Sequence, residues 1–217
     1  MAKKSSGRLV ALAAIGVIAV LAVAMVMQII WTPNSAQRAA RSGSMMRLRI
    51  IMLFRPSLKD AKDDEGRTPL HTAAYANRRA AIELLARKGA DLDARDAEGQ
   101  TPLHMAAFQG SRAATTALLA AGARPNIKNE QGMTPLHTAA RTGHDRVAAL
   151  LLENDADPDI QDTKGMTALH WAAFEDERDC VRALAQGGAN LNVRNNDGQK
   201  PLDIALMEVH DAVAQIL

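Results

Sequence analysis

The chain has 217 residues, 47% of them hydrophobic but only 3% aromatic, with a formal net charge of +2 and one cysteine. Such a composition describes an Ala- and Leu-built helical protein whose core is the sum of many small contacts, and the lone Cys180 excludes an intramolecular disulfide. The net charge hides a segregation: residues 1 to 59 hold nine Lys and Arg and no acid, while the other 158 hold 17 basic and 24 acidic side chains, a formal −7. A region so acidic offers no basic stripe, so nucleic acid is not an expected partner of it.

Residues 1–8 form a basic tail carrying Lys3, Lys4 and Arg8. Leu9 to Trp31 follows as 23 residues without a charge, about 34 Å as a helix, enough for a bilayer core. We expect a single transmembrane helix, an uncleaved signal anchor, over 9–31. A cleaved signal peptide is the competing reading, since Ala22-Val23-Ala24 resembles a cleavage site, but the apolar run continues past it. Thr32 to Ser44 has the polar composition of a connector. Met45 to Phe54 is apolar but interrupted by Arg47 and Arg49, too short and too charged to span. It reads either as a helix lying on anionic headgroups or as a degenerate N-terminal capping repeat, with Leu48, Ile51 and Met52 at second-helix spacing; we take the cap. Residues 32–63 are thus read as basic connector plus cap.

From residue 64 to 217 one phrase governs the chain. TPLH stands at Thr68–His71 and Thr101–His104, returns at Thr134–His137 and as TALH at Thr167–His170, and recurs in worn form at Lys200–Asp203. Its step is always 33 residues. A Gly two residues before each phrase suits a tight turn. Thr stands where an N-cap belongs, and the Pro after it at a first helical position, so a short helix should start at each phrase. A second helix carries Ile82, Leu84 and Leu85 in the first repeat and Val147, Leu150 and Leu151 in the third. Gly89, Gly122 and Gly188 then serve as left-handed C-caps, with Asp155 in the third repeat. Turns are expected at 63–67, 96–100, 129–133, 162–166 and 195–199. The unit beginning at Lys200 reads as a truncated C-terminal cap. A period of 33 carrying TPLHxA is specific, and on it the chain resembles the ankyrin repeat family. The resemblance implies an all-α solenoid of stacked helix-turn-helix units, here preceded by the transmembrane helix.

The sequence holds no constellation that points to catalysis or metal binding. The histidines at 71, 104, 137 and 170 recur in register, but helices packed 8–10 Å apart cannot bring them to one zinc ion. The resemblance implies instead that each ring bonds backbone of the adjacent turn. Asp155, Asp157, Asp159 and Asp162 imitate the start of a calcium loop, yet its sixth and twelfth positions would be Ile160 and Met166. No phosphate-binding, hydrolase or dinucleotide motif occurs. We therefore expect no enzyme, no cofactor, no metal and no small-molecule substrate, but a membrane-anchored module that binds a protein partner. A scaffold for the chain's own oligomer is the alternative, and an enzyme with an unrecognised site a more distant one.

The family implies binding along the first helices and turn tips. Tyr75, Phe108, Arg141 and Phe174 occupy one equivalent position there, and Trp171 lies one helical turn before Phe174. These five, with Gln109, Glu175 and Asp176 as a polar rim, form the expected partner site. The domain is expected on the extracytoplasmic side, periplasmic in a cell with two membranes, with a cytoplasmic-facing domain as the alternative.

Overall fold

A computed structural model describes residues 34–217, together with Ala24, Met27 and Thr32. The expected anchor over 9–31 lies, apart from Ala24 and Met27, outside the described residues. Among those residues no helix is long and apolar enough to cross a membrane.

Twelve helices are described, and no strand. In chain order they are α1 (Ser35–Ser42), α2 (Met45–Phe54), α3 (Pro69–Tyr75), α4 (Arg79–Arg87), α5 (Pro102–Phe108), α6 (Arg112–Ala120), α7 (Pro135–Arg141), α8 (Asp145–Leu152), α9 (Ala168–Phe174), α10 (Arg178–Gln186), α11 (Pro201–Met207) and α12 (Asp211–Ala214). They pair as antiparallel hairpins and stack. The odd-numbered helices pack on one another in one row and the even-numbered in a second. A seven-residue helix is too short to persist alone, so each unit depends on its neighbours.

The local chemistry explains where each first helix begins. Thr68, Thr101, Thr134 and Thr167 are extended N-caps whose hydroxyls accept the N–H three residues on. Pro follows at the first helical position in α3, α5 and α7, where its missing N–H costs nothing. Between the rows, Leu70, Leu103, Leu136 and Leu169 are fully buried, and truncating any one of them to Ala should cost about 2–5 kcal/mol. Alanine pairs such as Ala106-Ala107 and Ala139-Ala140 are also fully buried, and their small side chains permit close approach of successive helices.

The turns fall where the 33-residue period puts them. Asp96 N–H donates to Gln100 O at 2.9 Å, and the same bond closes the turns at 63, 129, 162 and 195. Successive tips are tied by single backbone bonds, such as Thr163 N–H to Gln131 O at 3.0 Å. Gly132 shows why glycine is needed: its φ is 76°, and a Cβ there would lie 2.8 Å from Thr163 N. Gly89, Gly122, Asp155 and Gly188 all have positive φ at the ends of second helices.

The N-terminal part differs from the expectation in one respect. Most of Thr32–Ser44 is no connector, because Ser35–Ser42 is a helix with Ala36, Ala39 and Ala40 buried against α3. α2 follows it with Leu48, Ile51 and Met52 buried, so the two helices form a complete hairpin at the end of the stack. Gln37 stands in the place of the recurring histidine: it is buried, and its Nε2 donates to Ala61 O at 2.8 Å and, at a longer 3.5 Å, to Arg67 O, the turn carbonyl equivalent to those the histidines bond. It lies 34 residues before His71 rather than 33. The extra residue hides the hairpin from a fixed-period search.

Candidate protein-binding groove

The four register histidines are structural links between repeats. In each, the N-cap Thr N–H donates to Nδ1, at 3.1 Å for Thr101 to His104. An acceptor Nδ1 leaves the proton on Nε2, which donates to the carbonyl of the next turn tip. Those bonds are His71 to Gln100 at 3.0 Å, His104 to Met133 at 3.0 Å, His137 to Met166 at 3.1 Å and His170 to Gln199 at 3.1 Å. Both nitrogens of each ring are thus engaged within the fold. Burial holds all four below the usual imidazole value, His104 down to about 4. The Cys180 thiol is fully buried and burial pushes it up to about 12, so it is an inert packing group.

The face made by the odd-numbered helices and the turn tips carries the aromatic residues. Tyr75, Phe108 and Phe174 end their helices at equivalent positions and remain 44%, 44% and 43% exposed, although the Ala pair beside each is fully buried. Trp171 is half-buried and meets Phe174 edge-on, with ring centroids 6.1 Å apart. The Arg141 guanidinium lies 5.6 Å from the Trp171 ring centre and the Lys164 ammonium 5.3 Å, so two cations lie over the indole. Its Nε1–H donates to Asp162 Oδ2 at 2.8 Å. The Asp162 Oδ1 already accepts the Lys164 and Met166 N–H groups, which fixes the turn and the indole as one unit.

The expected site residues therefore divide. Arg141, Trp171 and Phe174 are brought together, while Tyr75 lies at the other end of the row, in a recess of ≈ 320 Å³ shared with Met105, Thr72 and Arg41. Gln109 and Glu175 are exposed where α5 and α9 end. Asp176 is also a turn former: at φ 56° it makes the left-handed turn into α10, and it pairs with Arg178 at 3.1 Å. Asn77, Gly110, Gly143 and Val209 hold the same turn in the other units.

Lys164, Asp162 and Met207 join the site without having been expected there. Met207 is 33 residues beyond Phe174, at the next rung, and lines a recess of ≈ 250 Å³ with Trp171, Phe174, Met166 and Ile204. The same addition that aligns the aromatics points to it. At the other end, Arg41 fills the rung 34 residues before Tyr75. The row thus runs from Arg at the first hairpin to an apolar pocket at the last.

Stacked helical hairpins linked through buried TPLH histidines define an all-helical repeat solenoid. A family model described as ankyrin repeats (3 copies) matches residues 36–129, 92–162, 113–195 and 147–217. The chain belongs to the ankyrin repeat family. No curated protein matches it.

Proposed function

We propose that this chain is a membrane-anchored protein-binding module without catalytic activity, which holds its partner along the face of the odd-numbered helices. Ankyrin repeats themselves suggest protein–protein interaction. The observation that supports this site is the row of exposed rings: Tyr75, Phe108 and Phe174 leave apolar surface in water at positions where the fold does not need it. Aromatic residues with Arg nearby are the usual anchors of interfaces. The pocket of Trp171, Phe174 and Met207 is the strongest anchor point, because the Asp162 bond and the two cations preorganise the indole.

The anchor is residues 9–31, and the repeats lie on the extracytoplasmic side, periplasmic where a cell has two membranes. That side follows from the tendency of long domains to translocate largely regardless of charge. Alkaline phosphatase fused after Leu217 should be active in bacteria; an inactive fusion with an active cytoplasmic reporter places the domain inside.

The site is tested by Phe108→Ala and Phe174→Ala, singly and together. For rings this exposed the stability cost should fall well below the 3–5 kcal/mol of a buried Phe→Ala change, about 1–2 kcal/mol each. Partner capture should be lost while helical content is retained. Capture that declines only in proportion to unfolding refutes the site.

A further inference from the structure

α2 is apolar on two sides. Leu48, Ile51 and Met52 are buried inward, yet Met46, Leu53 and Phe54 are 72%, 71% and 62% exposed. A helix apolar all round is normally covered on all sides, and the stack covers only one of these. The polar residues interleaved with the exposed three are basic: Arg47 and Arg49, both exposed. From Asn34 to Lys59 the chain has six Lys and Arg and no acid, whereas everything after Lys59 carries a formal −7. Such a face attracts an anionic surface, and it sets like charges against each other if it meets a second copy of itself.

Its place in the chain points the same way. Met45 lies 14 residues after Trp31, the end of the apolar run, and eight of the intervening residues are taken up in α1. The remaining tether is short, on the order of 20 Å fully extended. We propose that the outer face of α2 lies on an anionic phospholipid bilayer, with Met46, Leu53 and Phe54 entering the acyl boundary and Arg47 and Arg49 meeting headgroup phosphates. One helix thus closes the solenoid on one side and seats it on the membrane with the other. The tether argument rests on the anchor reading; the charge and exposure arguments do not.

The full chain tests this with a polarity-sensitive fluorophore on Leu53→Cys, the buried Cys180 being unreactive, and with Glu153→Cys as the labelled control. Protein is mixed with vesicles of phosphatidylcholine alone or with added phosphatidylglycerol, some carrying spin-labelled quencher lipids, and flotation is scored in parallel. Expected is a blue shift and lipid quenching of the Leu53 label in anionic vesicles only, with none at Glu153. Arg47→Glu with Arg49→Glu should reduce the quenched fraction at least about tenfold with helical content unchanged. A chain that floats while the Leu53 label stays unquenched in anionic vesicles overturns the docking and leaves the anchor standing. Flotation confined to anionic vesicles, with the label quenched, upholds the docking and removes the anchor. No flotation with anionic vesicles overturns both. A blue shift already present without lipid means that a second copy or the N-terminal segment covers the face, and overturns the proposal.

Discussion

His104→Gln should make the fold measurably less sensitive to acid. Burial holds the folded-state value of His104 at about 4, below its ordinary 6.5, so the unfolded chain takes up the proton first as the pH falls. The stabilisation linked to the neutral ring is complete above pH 6.5 and is lost as the pH drops through about 4. Its ceiling is about 3 kcal/mol, and about 2 kcal/mol should be gone by pH 5. His71, His137 and His170 are shifted in the same direction and add to the loss. Glutamine is the informative replacement because Gln37 already holds this place in the first hairpin, donating to Ala61 O and at longer range to Arg67 O without titrating. The variant should be weaker at pH 7, by about 1 kcal/mol for the altered Nδ1 contacts, but should lose about 2 kcal/mol less than the parent between pH 7 and pH 5. Denaturant unfolding followed by far-ultraviolet circular dichroism at both pH values reads the difference. Parallel losses in parent and variant would refute the linkage.

Two further substitutions test the backbone of the stack. Val209 has φ 61° at a position otherwise held by Asn, Gly or Asp, a conformation costly for a β-branched residue, so Val209→Gly should raise stability by about 1 kcal/mol and lift the melting temperature; an unchanged or lower melting point contradicts this. Gly132→Ala should destabilise more than Gly198→Ala, because both have positive φ but only at Gly132 does the new Cβ meet backbone, 2.8 Å from Thr163 N. Equal losses for the two would show that left-handed strain alone, and not the tie between turn tips, sets the cost.

The 33-residue period makes most of the fold readable, because each element in it has a local cause: a Thr cap, a Pro at the first helical turn, a Gly forced by positive φ. The first hairpin is only half legible. Its second helix keeps apolar spacing at Leu48 and Ile51, but its first helix has Asn34-Ser35 where the others have Thr-Pro, replaces His by Gln37 and sits one residue out of phase. In the groove, the aromatic rungs are countable from the sequence, and Met207 is equally countable once apolar side chains other than aromatics are admitted. The grip on Trp171 is not. Asp162 and Lys164 reach it from a turn tip nine and seven residues earlier, through the way that turn folds back over α9. Asp176 carries a role beyond the one its place beside an aromatic helix end suggests, since its φ of 56° makes it a turn former.

Site-specific photo-crosslinking in native membranes tests the binding face most directly. A photoreactive phenylalanine analogue is placed in turn at Phe108, at Phe174 and at Met207 on the row, and at Thr116 and Glu153 on even-numbered helices or their ends. Binding along the row predicts that all three row positions give adducts with one and the same protein partner, and that neither control position does. Adducts of equal yield from Thr116 and Glu153, or none from the row while the chain still recovers its partner, would contradict it.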